Sequence, residues 1–246
     1  MIPKKIHYCW FGRGKMPELA LKCIASWKKY LPEYEIKEWN EDNFDLDMYP
    51  YVREAYDNRK FAFVTDVVRL YALYHEGGVY MDTDVEVLKP LDKFLHHPAF
   101  SGFEDDTHIP TGIMASEKHG AWAKWQLEYY IDKHFVREDK SLDMTTNVLI
   151  IGNSMAESGF VMNNSFQNFK GMIAIYPKDY FCPKSHVDGQ IYLTKNTCTI
   201  HHFAGSWVPR SYKYYDMLRN LIGEKWYLGL INLKRVLLNK ERVESL

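Results

Sequence analysis

An α/β domain is the fold that this chain of 246 residues predicts. Three observations predict it. Strand-like and helix-like segments alternate through the first half, and shorter mixed elements fill the second. The apolar run Val79-Tyr80-Met81 follows a helical segment and a Gly77-Gly78 turn. No internal repeat or low-complexity linker interrupts the pattern, and the length suits one large domain with a full core.

Ile6 to Phe11 is a β-rich run that feeds the loop Gly12-Arg13-Gly14. Pro17 to Tyr30 places Leu19, Cys23, Ile24 and Trp27 at a helical period, and Pro32 stops it. Tyr34 to Trp39 alternates as a strand does. Asn40 to Asn43 punctuates the chain, and a short polar helix is expected from about Tyr49 to Asn58. Phe61 to His75 is the strongest helix, with Val64, Val67, Val68, Tyr71 and Ala72 on one face and Gly77 at its end. After Val79-Tyr80-Met81 comes a second strand, Val85 to Leu88, closed by Pro90. Phe100 to Glu104 and Gly112 to Ala115 are expected as short strands, Ala121 to Tyr130 as an amphipathic helix, and Val148 to Ile151 as a buried strand. Ile173 to Tyr176 and Thr197 to Phe203 are the last strands, and Trp207 to Lys240 is mostly helical with breaks near Gly223 and Gly229.

The formal net charge is −1, so no global field draws in nucleic acid. Cys9, Cys23, Cys182 and Cys198 are scattered and form no C-x-x-C pair, which argues against a zinc site or a disulfide framework and for reduced thiols in a cytosolic setting. The first residues are too short and polar for a signal segment, and no apolar run approaches the roughly 20 residues that span a bilayer. The expectation is a cytoplasmic protein, or one peripheral to the inner face of a membrane.

The chemistry concentrates in Asp82-Thr83-Asp84, directly after the Val79–Met81 strand. Ligands of open α/β sheets bind at the C-terminal ends of strands, and paired carboxylates there suit a hard divalent cation holding phosphate oxygens. If the strand continues through them, Asp82 and Asp84 face the same side. A bare D-x-D is usually a solvated acidic turn, so context decides. Asp66 and Arg69 stand i, i+3 on the preceding helix, where they make either a surface ion pair or a clamp on ligand hydroxyls and phosphate. His201 and His202 are adjacent in a strand, so one of them can face a metal site and the other cannot easily do so. His201 is preferred, with His202 retained.

Taken together, Ile2–Gly12, Ser26-Trp27, Asp66-Val67-Val68-Arg69 and Gly77–Asp84 resemble the family 32 glycosyltransferases with a D-x-D sugar-binding region, which include Och1-type mannosyltransferases and bacterial capsule and lipopolysaccharide transferases. A remoter similarity reaches the glucosylating clostridial toxins. The likeness covers most of residues 1–95, and Ile200–Trp207 resembles the family's closing His…Ser-Trp block. Residues 105–195 match loosely, through Pro177–Pro183 and Thr145-Thr146-Asn147.

The resemblance implies a GT-A-like (Rossmann-like) fold with a mixed, mainly parallel sheet flanked by helices. It implies retention of anomeric configuration, Mn²⁺ or Mg²⁺, and a nucleoside-diphosphate sugar, UDP-linked in preference to GDP-linked. Asp66, Arg69, Asp82 and Asp84 then carry catalysis. Trp10, Asp66, Arg69, Tyr80, Asp82, Ser206 and Trp207 bind the donor, with Trp10 stacking on the base or serving only as core. Asp82, Asp84 and His201 or His202 hold the metal. No carboxylate is placed as a nucleophile; Asp105, Asp106 and Asp188 are candidates only as acidic loop residues, and a leaving phosphate oxygen is the expected proton acceptor.

Residues 1–210 are expected to form the catalytic domain. Residues 211–246 are expected to be a basic helical segment packed on that domain or on a membrane surface. The acceptor is a saccharide or lipid-linked saccharide, with bacterial surface polysaccharide synthesis the expected setting. The rival readings are a nucleotidyltransferase or sugar-phosphate enzyme, for which Gly12-Arg13-Gly14-Lys15 is a weak phosphate loop, and a non-catalytic sugar-binding module.

Overall fold

The structure is a computed structural model that describes residues 1–109, 111–185 and 188–205. Ser206, Trp207 and the segment 211–246 lie outside the described residues. Met1–Ala204 makes one compact unit.

In chain order the elements are β1 (Lys5–Cys9), α1 (Glu18–Tyr30), β2 (Glu35–Trp39), α2 (Pro50–Asp57), α3 (Phe61–Glu76), β3 (Gly78–Met81) and β4 (Val85–Val87). There follow β5 (Ala99–Gly102), β6 (Ile113–Ser116), α4 (Ala121–Glu128), α5 (Asn147–Glu157), β7 (Gln167–Phe169), β8 (Ile173–Tyr176), α6 (Lys178–Phe181) and β9 (Thr199–His201). Seven strands form one sheet in the order β2-β1-β3-β6-β5-β8-β7, and β4 pairs with β9 in a separate ribbon. β1 is parallel to β2 and β3, and β5 is parallel to β8, while β6 and β7 run against their neighbours. Five strands therefore point one way, and the sheet is mixed but mainly parallel, as expected.

Alternating side chains divide the core between the two faces of the sheet. Cys9, Tyr80 and Ile175 join the cluster formed with α2, α3, α4 and α5. Ile6, Tyr8, Val79, Met81 and Phe100 join the cluster that includes Trp27 of α1, Val85 and Val87 of β4, and Phe181 of α6. The turn from α3 into β3 needs both glycines. Gly77 and Gly78 have φ of +68° and +117°, and a Cβ on Gly78 would stand 2.5 Å from the Lys5 carbonyl oxygen. That close approach lets β3 lie directly beside β1.

One expected strand is a helix. Val148–Ile151 belongs to α5, in which Asn147, Ile150, Ile151 and Met155 are buried while Leu149 is 45 % exposed. A strand would bury alternate residues, whereas this spacing is a helical face that continues past the apolar run. The short strand β7 and the single turn α6 carry too little period to be anticipated. Among the described residues β7 lies at the sheet edge, paired only with β8.

Candidate functional site

β3 ends at Met81, so Asp82 and Asp84 stand in a turn and not in a continuing strand. The Val85 N–H closes that turn on the Asp82 carbonyl at 3.0 Å, and the Asp82 N–H donates to the Gly112 carbonyl at 2.8 Å. The turn leads into β4, which α1 holds from behind. Trp27 Nε1 donates to the Val85 carbonyl at 2.7 Å, and the Val87 N–H donates to Ser26 Oγ at 2.9 Å. Ser26-Trp27 thus supports the carboxylate turn without entering it.

Antiparallel pairing of β4 with β9 sets Val85 opposite His201. His201 Nε2 then lies 3.3 Å from Asp84 Oδ1 and 4.0 Å from Asp82 Oδ2. Each of Asp82, Asp84 and His201 offers a donor atom, and the three atoms lie within 4.8 Å of one another. Among the described residues this is the one group of three or more such donors. Two carboxylates with one imidazole form a mixed O/N set that suits Mn²⁺ and accepts Mg²⁺, leaving further positions for phosphate oxygens and water.

The electrostatics fit a cation. Burial acts to raise the Asp84 carboxyl, but the hydrogen bond with His201 and the Ala204 N–H, 2.7 Å from Oδ2, hold it down at about 2. Burial opposes the charge on His201, yet Asp84 and the Cys182 thiol raise it well above the ordinary histidine value. The carboxylates thus recruit a proton as counter-charge where a divalent ion would supply more. To serve as a metal ligand His201 would have to give up that proton, since imidazole ligates in its neutral form.

Beside this group lies a buried polar clamp. Asp66 and Arg69 of α3 are 7 % and 5 % exposed, so the expected i, i+3 pair is an interior feature and not a surface salt bridge. Arg69 Nη2 is 3.2 Å from Asp66 Oδ1, and Nη1 is 3.4 Å from Asp82 Oδ1. The guanidinium also donates to the Thr111 carbonyl at 2.7 Å and to the Thr65 carbonyl at 3.1 Å, and lies 4.6 Å from the centre of the Tyr80 ring. Tyr80 in turn donates its hydroxyl to Asp82 Oδ1 at 2.7 Å. A guanidinium fixed on so many sides is aimed, and it loses little entropy when it meets an anion. Burial pushes the Asp66 carboxyl up to about 7 even though Arg69 and the Asn147 N–H pull the other way.

The structure brings Asp66, Arg69, Tyr80, Asp82, Asp84 and His201 into one chain of contacts. It turns His202 away. His202 Nε2 meets Glu86 Oε2 at 2.8 Å, because successive residues of an extended strand face opposite sides. His202 is therefore not a metal ligand in this arrangement. Trp10 follows the C-terminal end of β1, which runs parallel to β3, and is partly exposed, with its indole N–H donating to the Gly14 carbonyl at 2.6 Å. Asp105, Asp106 and Asp188 serve local structure: Asp105 accepts from the Thr107 and His108 N–H groups, Asp106 pairs with Lys178 at 2.7 Å, and Asp188 accepts from the Tyr192 hydroxyl at 2.6 Å.

Two neighbours of the site were not anticipated from sequence. Asn147 begins α5 beside Asp66, donating its side-chain N–H to the Asp66 carbonyl at 3.3 Å. Thr145-Thr146-Asn147 before an apolar run is a helix-start signal that points to it. Gly112 packs against His201, and nothing in the pattern of a lone glycine reveals that.

Residues 17–101 match the family described as "Glycosyltransferase sugar-binding region containing DXD motif". The chain is 32 % identical over 124 residues to inositol phosphoceramide mannosyltransferase 3 of Schizosaccharomyces pombe, a match covering 48 % of this chain and 34 % of that protein. It is 29 % identical over 120 residues to the mannosyl phosphorylinositol ceramide synthase SUR1 of Saccharomyces cerevisiae, covering 47 % and 31 %. The chain thus spans about a third of the length of these curated relatives. Similar solved structures include the PaToxG glycosyltransferase, at 17 % identity and a TM-score of 0.49 over 64 % of this chain and 70 % of that one. A glycosyltransferase involved in glycosylation of the major capsid of PBCV-1 shows 13 % identity and a TM-score of 0.46 over 86 % and 97 %. The stretch that matches this family contains Asp82-Thr83-Asp84 as its D-x-D motif, so over residues 17–101 the chain is similar to glycosyltransferases whose sugar-binding region contains a DXD motif.

Proposed function

We propose that this protein is a metal-dependent, retaining GT-A-type hexosyltransferase that moves a sugar from a nucleoside diphosphate to a saccharide or lipid-linked saccharide acceptor. The observation that carries this reading is the convergence of Asp82, Asp84 and His201 within 4.8 Å, with Arg69 3.4 Å from Asp82. When bound, the cation would neutralise the diphosphate that departs from the anomeric carbon.

Asp84 and His201 would hold that cation, and Asp82 would contact both it and the donor ribose. Arg69, pinned by the Thr65 and Thr111 carbonyls, answers the remaining phosphate charge and develops its full effect as the leaving group becomes more negative. Asp66 accepts from hydroxyls of the transferred sugar. Tyr80 orients Asp82, and Trp10 offers a face to the base. Asp105, Asp106 and Asp188 are occupied by local contacts, which supports attack on the face that the diphosphate leaves, with a phosphate oxygen taking the acceptor proton.

The mannosyltransferase names of the relatives make mannosyl donors an early choice beside UDP-sugars, and their ceramide acceptors support a lipid-linked acceptor. Bacterial surface polysaccharide synthesis at the inner face of a membrane is the setting we propose, with residues 211–246 as the contact. No helix among the described residues is long and apolar enough to cross a membrane.

The test incubates the protein with Mn²⁺ and a panel of UDP- and GDP-sugars and measures the nucleotide released. Nucleoside diphosphate is expected. Pyrophosphate would make the protein a nucleotidyltransferase, and binding of a donor without any turnover would make it a sugar-binding module.

A further inference from the structure

The two-residue approach to β6, Thr111-Gly112, touches Arg69, Asp82 and His201. Its carbonyls accept from Arg69 at 2.7 Å and from the Asp82 N–H at 2.8 Å. Those two contacts use backbone and would survive most substitutions. The third depends on side-chain size. A Cβ on Gly112 would stand 2.7 Å from His201 Cε1, 2.8 Å from Nδ1 and 3.0 Å from Nε2, closer than carbon atoms approach a ring. The imidazole therefore lies against the glycine itself.

The ring also has little room to withdraw. The Phe203 ring is 4.2 Å away between centroids, and His201 is 8 % exposed. Its Nδ1 is buried with no hydrogen-bond partner of ordinary geometry among the described residues, and beyond the carboxylates it is the Cys182 thiol that acts on the ring. Metal-ligating histidines are usually oriented by a hydrogen bond from the second nitrogen. Here packing against Gly112 and Phe203 supplies much of that orientation.

We infer that Gly112 is the positioning residue of the metal site: its missing side chain sets where His201 Nε2 stands relative to Asp82 and Asp84. This inference rests on the metal reading proposed above and names what enforces it. A methyl at 112 displaces the imidazole from the two carboxylates while leaving every donor present. Gly112 shows no positive φ, so alanine there meets the ring and no backbone penalty.

The test is a double-mutant cycle on the full chain, read by Mn²⁺ affinity in calorimetry or electron paramagnetic resonance and by thermal midpoint, without donor sugar. Gly112→Ala is expected to weaken Mn²⁺ binding by about 10- to 100-fold, the range found when the groups that orient a ligand are lost. His201→Ala should weaken it comparably, and Gly112→Ala combined with His201→Ala should be no worse than His201→Ala alone, because the methyl acts only through the ring. The thermal midpoint should follow the same rule: Gly112→Ala lowers it when His201 is present and leaves it unchanged when His201 is alanine. Even a Gly112→Ala protein that fails to fold alone supports the inference if removing the ring rescues it. Wild-type Mn²⁺ affinity in Gly112→Ala, or equal losses with and without the ring, overturns it. The metal reading itself falls on a different result, namely His201→Ala binding Mn²⁺ as the wild type does.

Discussion

Strand β3 has a buried histidine at each end, and the two are opposites. At its start, His7 is fully buried with both ring nitrogens satisfied: Trp39 Nε1 donates to Nδ1 at 3.0 Å, and Nε2 donates to the Gly77 carbonyl at 2.7 Å. At its end, His201 has one nitrogen facing two carboxylates and the other without a hydrogen-bond partner among the described residues. Burial lowers His7 to about 4, with the Gly77 carbonyl opposing only in part. His201 is buried too, yet Asp84 and Cys182 carry it well above the ordinary value. A satisfied histidine holds the fold together. One whose contacts are unfinished marks where a ligand completes the set.

The comparison breaks first at Asp84. Asp84→Asn keeps the shape but removes a full charge from the proposed cation site, and kcat in the donor assay should fall by about 10³-fold or more. Its effect on the metal-free fold has a definite sign. The depressed carboxyl contributes stability above its unfolded value near 4, and that contribution is lost as the pH falls toward about 2. Urea denaturation between pH 2 and 5 should therefore be shallower for the variant than for the wild type. A steeper profile would remove the His201 and Ala204 contacts as the cause.

His7→Ala should do the reverse. It strands the Trp39 indole N–H and the Gly77 carbonyl and leaves a cavity, at a cost of about 2–4 kcal/mol. Mn²⁺ affinity, measured by calorimetry on the folded fraction, should stay near that of the wild type. A comparable loss of metal binding would mean that the two ends of β3 are not independent.

The two histidines also sharpen the contrast through pH. His7 has a lowered folded value, so the native state binds fewer protons than the unfolded chain between about 4 and 6.5, and stability falls as the solution is acidified through that window. His201 has a raised value. It contributes stability that is fully present below the unfolded value near 6.5 and is lost as the pH rises through the folded one. Denaturation of metal-free His7→Ala and His201→Ala proteins across pH 4–9 should flatten opposite limbs of the wild-type curve. Mn²⁺ should abolish the His201 limb and leave the His7 limb in place.

The smallest expected effect is at Trp10, which lies at the rim of the site. Trp10→Ala should raise the donor KM several-fold with kcat within about two-fold, the pattern of lost ground-state binding. A fall in kcat with KM unchanged would instead make the indole, tied to Gly14, a scaffold for the loop.

Much of the site is legible in the sequence. Gly77-Gly78, the helix with Asp66 and Arg69, and the D-x-D after a short apolar run lie within one continuous stretch, and local pattern is strongest over such distances. Element ends shifted by a residue or two at β1 and β4 without consequence. Val148–Ile151 misled because four apolar residues suit a buried strand as well as a helix, and only the burial of Ile150, Ile151 and Met155 together separates the two. Asn147 was hidden by the same ambiguity, since its place beside Asp66 follows only once α5 is a helix.

By itself, then, the sequence determined the α/β layout, the paired carboxylates after a short apolar run and the i, i+3 spacing of Asp66 and Arg69, because each depends on residues close together in the chain. Tertiary structure alone decided which histidine joins Asp82 and Asp84, that Arg69 reaches across to Asp82, and that Gly112 backs the imidazole. His201 is 117 residues beyond Asp84, and no local rule sets the strand register that makes Val85 its partner. Because the side-chain period in a strand is two, a one-residue slip would have presented His202 instead.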